Sequence, residues 1–334
     1  MIRIAWGPAR TLLVCSLGLF TLTSCEPTGK AVRIFKGPVG ELGPLCSPDG
    51  HWLAFEYFTP LGVPDTEIWI MPANGKSSDA RPVLNGKSME YGEIAWSTDS
   101  KWISFVGSPS IESGVMSDQV FKVNVATKQV VQLTDFPKFT SLGAGTSWSR
   151  DGRIAFEMNG DIYVVPDSGG ATTKLVDVRN KLPDVAPYFP AWSPDGTHLA
   201  FVGRQPGTLG TKQDLYVTDI ATGKFTKAFE DVGDDGPSWF DDAHLVVSHQ
   251  DAKLKYSIWL VPISGGPAAV RLTHGFYDGT PSTDPAKTYL FFSRCEDISK
   301  LSLSSPAGGF HLWKLRLTTL NRAASAIPGM PRAN

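Results

Sequence analysis

Apolar residues along this chain come in short runs of β-branched, aromatic and aliphatic side chains, each bounded by Gly, Pro, Asp or Ser, and the runs recur as a set. The clearest copies read Cys46-Ser47-Pro48-Asp49-Gly50-His51-Trp52-Leu53-Ala54-Phe55 and Trp192-Ser193-Pro194-Asp195-Gly196-Thr197-His198-Leu199-Ala200-Phe201. Weaker copies begin at Trp96-Ser97, Trp148-Ser149, Trp239-Phe240 and Thr283-Asp284. With Ser47, Ser97, Ser149, Ser193, Phe240 and Asp284 taken as equivalent, the spacings are 50, 52, 44, 47 and 44. A period of this length marks a repeat architecture.

Every copy is followed by a second run with an aromatic residue in a fixed place: Trp69, Phe121, Tyr163, Tyr216, Trp259 and Trp313. A third run follows in five copies: Pro82-Val83-Leu84, Gln132-Leu133-Thr134, Lys174-Leu175-Val176, Lys227-Ala228-Phe229 and Arg271-Leu272-Thr273. The sixth copy lacks it, and the missing piece stands at the other end of the chain. There Ala31-Val32-Arg33-Ile34-Phe35-Lys36-Gly37 aligns without a gap to Ala269-Val270-Arg271-Leu272-Thr273-His274-Gly275.

Each repeat therefore reads as strand, turn, strand, loop, strand, turn, strand. Four strands per repeat make a propeller blade, and a closed ring removes exposed sheet edges. The expectation is an all-β, six-bladed β-propeller with four antiparallel strands per blade. It covers residues 31–318, and an N-terminal strand at 31–36 closes it as the outer strand of the sixth blade. Ser-Pro-Asp-Gly is turn chemistry: Pro presets φ, Asp bonds back to nearby amides and Gly accepts positive φ.

Residues 1–25 form a separate object, with Arg3 and Arg10 ahead of the apolar run Thr11 to Leu22 and then Leu22-Thr23-Ser24-Cys25. The run is too short to span a bilayer and reads as a secretory signal. The small residues before Cys25 resemble a bacterial lipobox, which implies lipidation of Cys25, a tether at 26–30 and a place in the cell envelope. Residues 319–334, rich in Ala and Pro, read as a loose tail.

Export permits a disulfide between Cys46 and Cys295. Strand directions put the two about 15 Å apart, too far for a bridge. Cys46 is then a buried stand-in for Trp, and Cys295 a free thiol in a loop.

The 334 residues carry a net charge of −2. No basic run points to nucleic acid.

At this point the chain resembles the six-bladed TolB-type propellers built from WD-repeat-like blades. Ser47-Pro48-Asp49-Gly50, Ser193-Pro194-Asp195-Gly196, Ile162-Tyr163-Val164 and Arg271-Leu272-Thr273 carry the resemblance. Propellers of this type serve as periplasmic binding proteins, as lids on serine peptidases and as carbohydrate-acting enzymes, so fold alone does not choose among them. TolB itself has an α/β domain ahead of its propeller, whereas few residues separate leader and first strand here.

Propeller function gathers on the face where the second-to-third-strand and blade-to-blade loops meet. Candidate binding residues there are Tyr57, Glu93, Glu157, Tyr188, Arg204, Asp235, Tyr277 and Arg294. This mixture of carboxylates, arginines and tyrosines suits a protein or peptide segment, or a sugar. Asp231, Asp234 and Asp235 crowd one loop without EF-hand spacing for Ca²⁺. His249, His274 and His311 are the candidates for a transition metal, and lyase chemistry on acidic sugars would need such a set. His51, His198 and His244 read as exposed turn residues. Peptidase chemistry would need a G-x-S-x-G elbow, which Gly145-Thr146-Ser147-Trp148-Ser149 does not supply. The reading is a membrane-anchored, non-enzymatic propeller without a cofactor, presenting a loop face to an envelope protein or peptide. The alternative is a carbohydrate-binding or metal-dependent carbohydrate-cleaving propeller.

Overall fold

The computed structural model describes residues 30–35, 37, 40–58, 66–84, 89–91, 94–109, 117–205, 213–266, 268–297 and 309–317. The leader with Cys25, residues 26–29 of the tether, Glu93 and the tail at 319–334 lie outside the described residues.

The protein is all-β, a propeller arrangement of antiparallel sheets. β1 (Val32–Arg33) precedes a sheet of β2 (Glu41–Cys46), β3 (Trp52–Phe58), β4 (Thr66–Pro72) and β5 (Arg81–Leu84). The second repeat gives β6 (Met89–Tyr91) and β7 (Ala95–Trp96), both paired with β8 (Trp102–Pro109), then β9 (Gln119–Asn124) and β10 (Val130–Gln132). The third contributes β11 (Leu142–Trp148), β12 (Arg153–Met158), β13 (Asp161–Pro166) and β14 (Thr173–Val176). The fourth contributes β15 (Ala186–Trp192), β16 (His198–Arg204), β17 (Gln213–Asp219) and β18 (Phe225–Phe229).

The last two repeats share one eight-stranded sheet. It joins β19 (Ser238–Asp241), β20 (His244–Gln250), β21 (Tyr256–Pro262) and β22 (Val270–Arg271) to β23 (Tyr277–Thr283), β24 (Tyr289–Cys295), β25 (Phe310–Arg316) and β1. A single parallel pair, Tyr256 with Tyr277, links the two antiparallel runs.

The N-terminal strand pairs as expected but is shorter than residues 31–36. Val32 faces Lys314 and Arg33 faces Trp313, and the Ile34 amide donates to the Leu312 carbonyl at 2.9 Å. Ile34 and Phe35 then pack with Cys46, Leu53, Phe55, Phe291 and Leu312, so the seam between the chain ends is apolar core. The tenth and twenty-second strands begin one or two residues ahead of the Gln132-Leu133-Thr134 and Arg271-Leu272-Thr273 runs.

The repeated residues repeat their contacts. The fixed aromatic of the third strand faces a Phe of the second, with ring centroids 6.5 Å apart for Phe55 and Trp69, 5.5 Å for Phe105 and Phe121, 6.3 Å for Phe156 and Tyr163 and 5.5 Å for Phe201 and Tyr216. Cross-strand aromatic pairs of this kind stabilise a sheet beyond simple burial. Trp96 Nε1 donates to the Leu45 carbonyl of the preceding repeat at 3.0 Å, and Trp239 Nε1 donates to Ala191 at 2.9 Å. In the turns, Ser47, Ser97, Ser149 and Ser193 each donate to the Asp two residues on, at 2.5 to 2.6 Å. The same hydroxyls accept the amide that opens the second strand, from Trp52, Trp102, Arg153 and His198.

The innermost strands carry a repeated bulge with a left-handed residue at Gly43, Gly145, Phe189 and Thr280 (φ 64°, 90°, 53° and 47°). Phe189 and Thr280 hold a conformation that glycine adopts freely and a bulky or β-branched side chain resists. Pro44, Pro190, Pro237 and Pro281 occupy equivalent positions beside it.

Cys46 and Cys295 are not joined in a disulfide, and both are buried. Cys46 stands where other repeats carry Trp. Cys295 is the last residue of β24 and fully buried, not a loop thiol, because that strand runs further toward the loop face than its apolar pattern suggests. His244 departs similarly: it is buried, with Nδ1 2.9 Å from Asp241 Oδ1, whereas His51 is exposed.

Candidate functional site

Four of the eight candidate residues gather on the loop face of the fourth to sixth repeats. The Arg204 guanidinium at the end of β16 lies 4.2 Å from the centre of the Tyr188 ring and forms an ion pair with Asp234. Beside this pair Asp235 accepts hydrogen bonds from Ser248 Oγ and the Thr280 amide, tying the fifth repeat to the sixth. Burial, with a smaller push from Asp234, raises the Asp235 carboxyl to about 6 despite these donors. Tyr256 and Tyr277 follow, ring centroids 4.3 Å apart, and Phe310 meets Tyr277 edge-on at 5.3 Å. Burial raises both phenols, so they act as neutral hydrogen-bonding groups.

The other candidates are held elsewhere. Arg294 makes two hydrogen bonds to the fully buried Asp278, at 2.6 and 2.9 Å, and lies over Phe292 and Trp313. Such a pair fastens β24 to β23 and leaves little charge for a ligand. Tyr57 packs on Trp69 at 4.6 Å in the seam. Glu157 accepts the Gly160 amide at 2.6 Å, which closes its own hairpin, and burial raises its carboxyl.

The histidine trio does not assemble. His311 Nδ1 is 2.9 Å from Glu41 Oε2, and Glu41 is fully buried in the seam, its carboxyl pushed up to about 8 by burial against the pull of Arg33. His249 is wedged between Phe229 and Trp259, with ring centroids at 5.3 and 5.4 Å. Asp234 and Asp235 are engaged as above, which removes them from a calcium set with Asp231. Among the described residues no group of three His, Cys, Asp or Glu side chains is placed to hold a metal ion.

The innermost strands also surround a central cavity of about 510 Å³. Its wall includes Gly43 and Pro44, Ile94 and Ala95, Thr146 and Ser147, Phe189 and Pro190, Gly236 and Pro237, and Thr280 and Pro281. Among the described residues its charged lining groups are Glu56 and Lys287. The candidate set drawn from the sequence omits Glu56, Ser248, Tyr256 and Thr280. The column after Leu-Ala-Phe could have flagged two of them, since it reads Glu56, Val106, Glu157, Val202, Ser248 and Ser293.

Neither a protein-family model nor a curated protein sequence matches the chain. Solved structures with the same fold include TolB from Acinetobacter baumannii, at 17% identity and a TM-score of 0.55, covering 70% of this chain and 54% of that one. The chain thus spans about half the length of that structure. A putative TolB from Agrobacterium tumefaciens aligns at 16% identity and TM-score 0.55, over 86% and 96% of the two chains. An oligogalacturonate lyase from Vibrio parahaemolyticus aligns at 12% identity and TM-score 0.53, over 88% and 95%. At these identities the likeness is one of fold: a TolB-like β-propeller.

Proposed function

We propose that the protein is a lipid-anchored, non-enzymatic six-bladed propeller of the cell envelope that binds another envelope protein, or a peptide segment of one, on its loop face. In this reading the eight-stranded sheet is two blades. The observation that carries the proposal is the Tyr188, Arg204, Asp234, Tyr256 and Tyr277 cluster, a platform of rings and one guanidinium at the end of three neighbouring repeats. Tyr and Arg are the residue types that anchor protein interfaces.

The path of β1 supports an orientation. As a fourth strand it runs from the turn face toward the loop face, antiparallel to β25. Five tether residues reach at most about 18 Å. A lipid on Cys25 would therefore hold the turn face toward the bilayer and leave the loop face open to a partner. Among the described residues no helix is long and apolar enough to cross a membrane.

The test is affinity capture from crosslinked, detergent-solubilised envelopes with wild type, Tyr188→Ala and Arg204→Ala. A stoichiometric protein lost from both variants supports the reading, and a partner retained by both counts against it. The tilted tyrosine pair favours the carbohydrate alternative, so the same preparations are assayed with acidic oligosaccharides. Saturable binding or cleavage there, with no protein captured, selects that alternative.

A further inference from the structure

Glu56 is the conspicuous group in the central cavity. It sits near the upper end of β3, opposite Leu42 of the innermost strand, and its side chain contributes to the cavity wall. Among the described residues it has no hydrogen-bond or ion-pair partner. Its equivalents in the fifth and sixth repeats are serines that are fully used: Ser248 bonds to Asp235, while Ser293 accepts from Thr280 Oγ1 and from the Gly43 amide. The equivalents in the second and fourth repeats are Val106 and Val202, and Glu157 is occupied by Gly160.

The rest of the wall does not compensate the carboxylate. Lys287, the one cationic lining residue among the described residues, lies 5.2 Å from the centre of the Phe240 ring at the turn end. Burial lowers its pKa, and the carboxylates of Asp241, Asp284 and Asp242 oppose that shift, so its charge is answered there. The four prolines of the innermost strands have no N–H to offer the carboxylate, the Ser282 hydroxyl donates to the Pro44 carbonyl, and the Thr146 hydroxyl is paired with Ser104. The described lining thus leaves one carboxylate unanswered. Burial alone lifts that carboxyl to about 7.

We infer that the cavity receives an organic ammonium or guanidinium group and that Glu56 is its counter-ion. The folded protein already bears the desolvation cost of the carboxylate, so an entering cation gains Coulomb attraction in a low-dielectric site. A volume near 510 Å³ suits a side chain or small amine rather than a folded element. The group could come from a basic side chain of the docked partner, which rests on the binding reading above, or from a free amine, which does not.

The experiment is calorimetric titration of the full mature chain with cadaverine, with acetyl-Gly-Lys-Gly-amide and with its norleucine analogue, at pH 8 and pH 5.5. Wild type is expected to bind at least one amine saturably at pH 8, to bind it more weakly at pH 5.5 as Glu56 takes up a proton, and to ignore the norleucine peptide. Glu56→Gln is expected to lose at least tenfold in affinity while unfolding as cooperatively as wild type. Cadaverine alone identifies a free amine as the source, and the lysine peptide alone identifies a partner's side chain. No saturable amine binding at pH 8, or equal affinity in Glu56→Gln, overturns the inference. Tyr188→Ala and Arg204→Ala lie off the cavity wall and leave amine binding unchanged, so failure of partner capture is read separately.

Discussion

The first and sixth repeats place different residues at the same point beside the inner bulge, and the difference separates scaffold from site. In the sixth, Ser293 closes a network in which Thr280 Oγ1 donates to Ser293 Oγ at 2.7 Å and the Gly43 amide donates to the same oxygen at 3.1 Å. Thr280 holds its left-handed backbone with its amide donating to Asp235 and its hydroxyl donating to Ser293. In the first repeat Glu56 occupies that column, and among the described residues its side chain has no hydrogen-bond partner. A satisfied polar network fixes geometry, whereas an unpaired, desolvated charge costs stability.

The largest effect that sharpens this contrast is the pH dependence of wild-type stability. Glu41, Glu56 and Asp235 have folded-state values of about 8, 7 and 6, all above the ordinary carboxylate range. A raised acid contributes stability that is full below its unfolded value and lost as pH climbs through the folded one. Denaturant unfolding should therefore show stability falling by on the order of 5 kcal/mol between pH 4.5 and pH 8. His249, pushed down by burial, opposes this within the neutral range. Stability that rises across the window would contradict the desolvated state of these three acids.

Glu56→Gln comes next. It should stabilise the protein by roughly 2–3 kcal/mol at pH 8 and leave it unchanged near pH 4. Ser293→Ala should act in the opposite direction, costing about 1–3 kcal/mol at either pH, because the half-buried Gly43 amide and Thr280 hydroxyl lose a partner. Ser193→Ala, in one turn among several alike, should cost about 1 kcal/mol through the loss of its bonds to Asp195 and the His198 amide. Equal effects from the last two would erase the distinction between inner bulge and outer turn.

Much of the scaffold is legible in the sequence because its determinants are local and repeated. Ser-Pro-Asp-Gly encodes its own hydrogen bonds, the fixed aromatics encode their cross-strand partners, and the match between 31–37 and 269–275 encodes the pairing of β1 with β25. What the sequence hides depends on which neighbour a side chain meets across a gap. Arg294 looks like a recognition residue until Asp278, opposite it in the hairpin, takes both its bonds. His249, His274 and His311 share a face by strand direction, yet His249 lies among rings and His311 meets Glu41 across the seam. The bulge escapes sequence reading because Phe189 and Thr280 fill a position where glycine would have announced it. Glu56 escapes because a single acidic residue after an apolar run looks like the edge of a strand.

The most direct test of the binding account is site-specific photocrosslinking in intact envelopes, with a photoreactive residue at Tyr188 on the loop face and at Asp195 on the turn face. The account predicts one defined protein adduct from position 188 and none of that mass from position 195. Adducts from the turn face with an unreactive position 188 would contradict it.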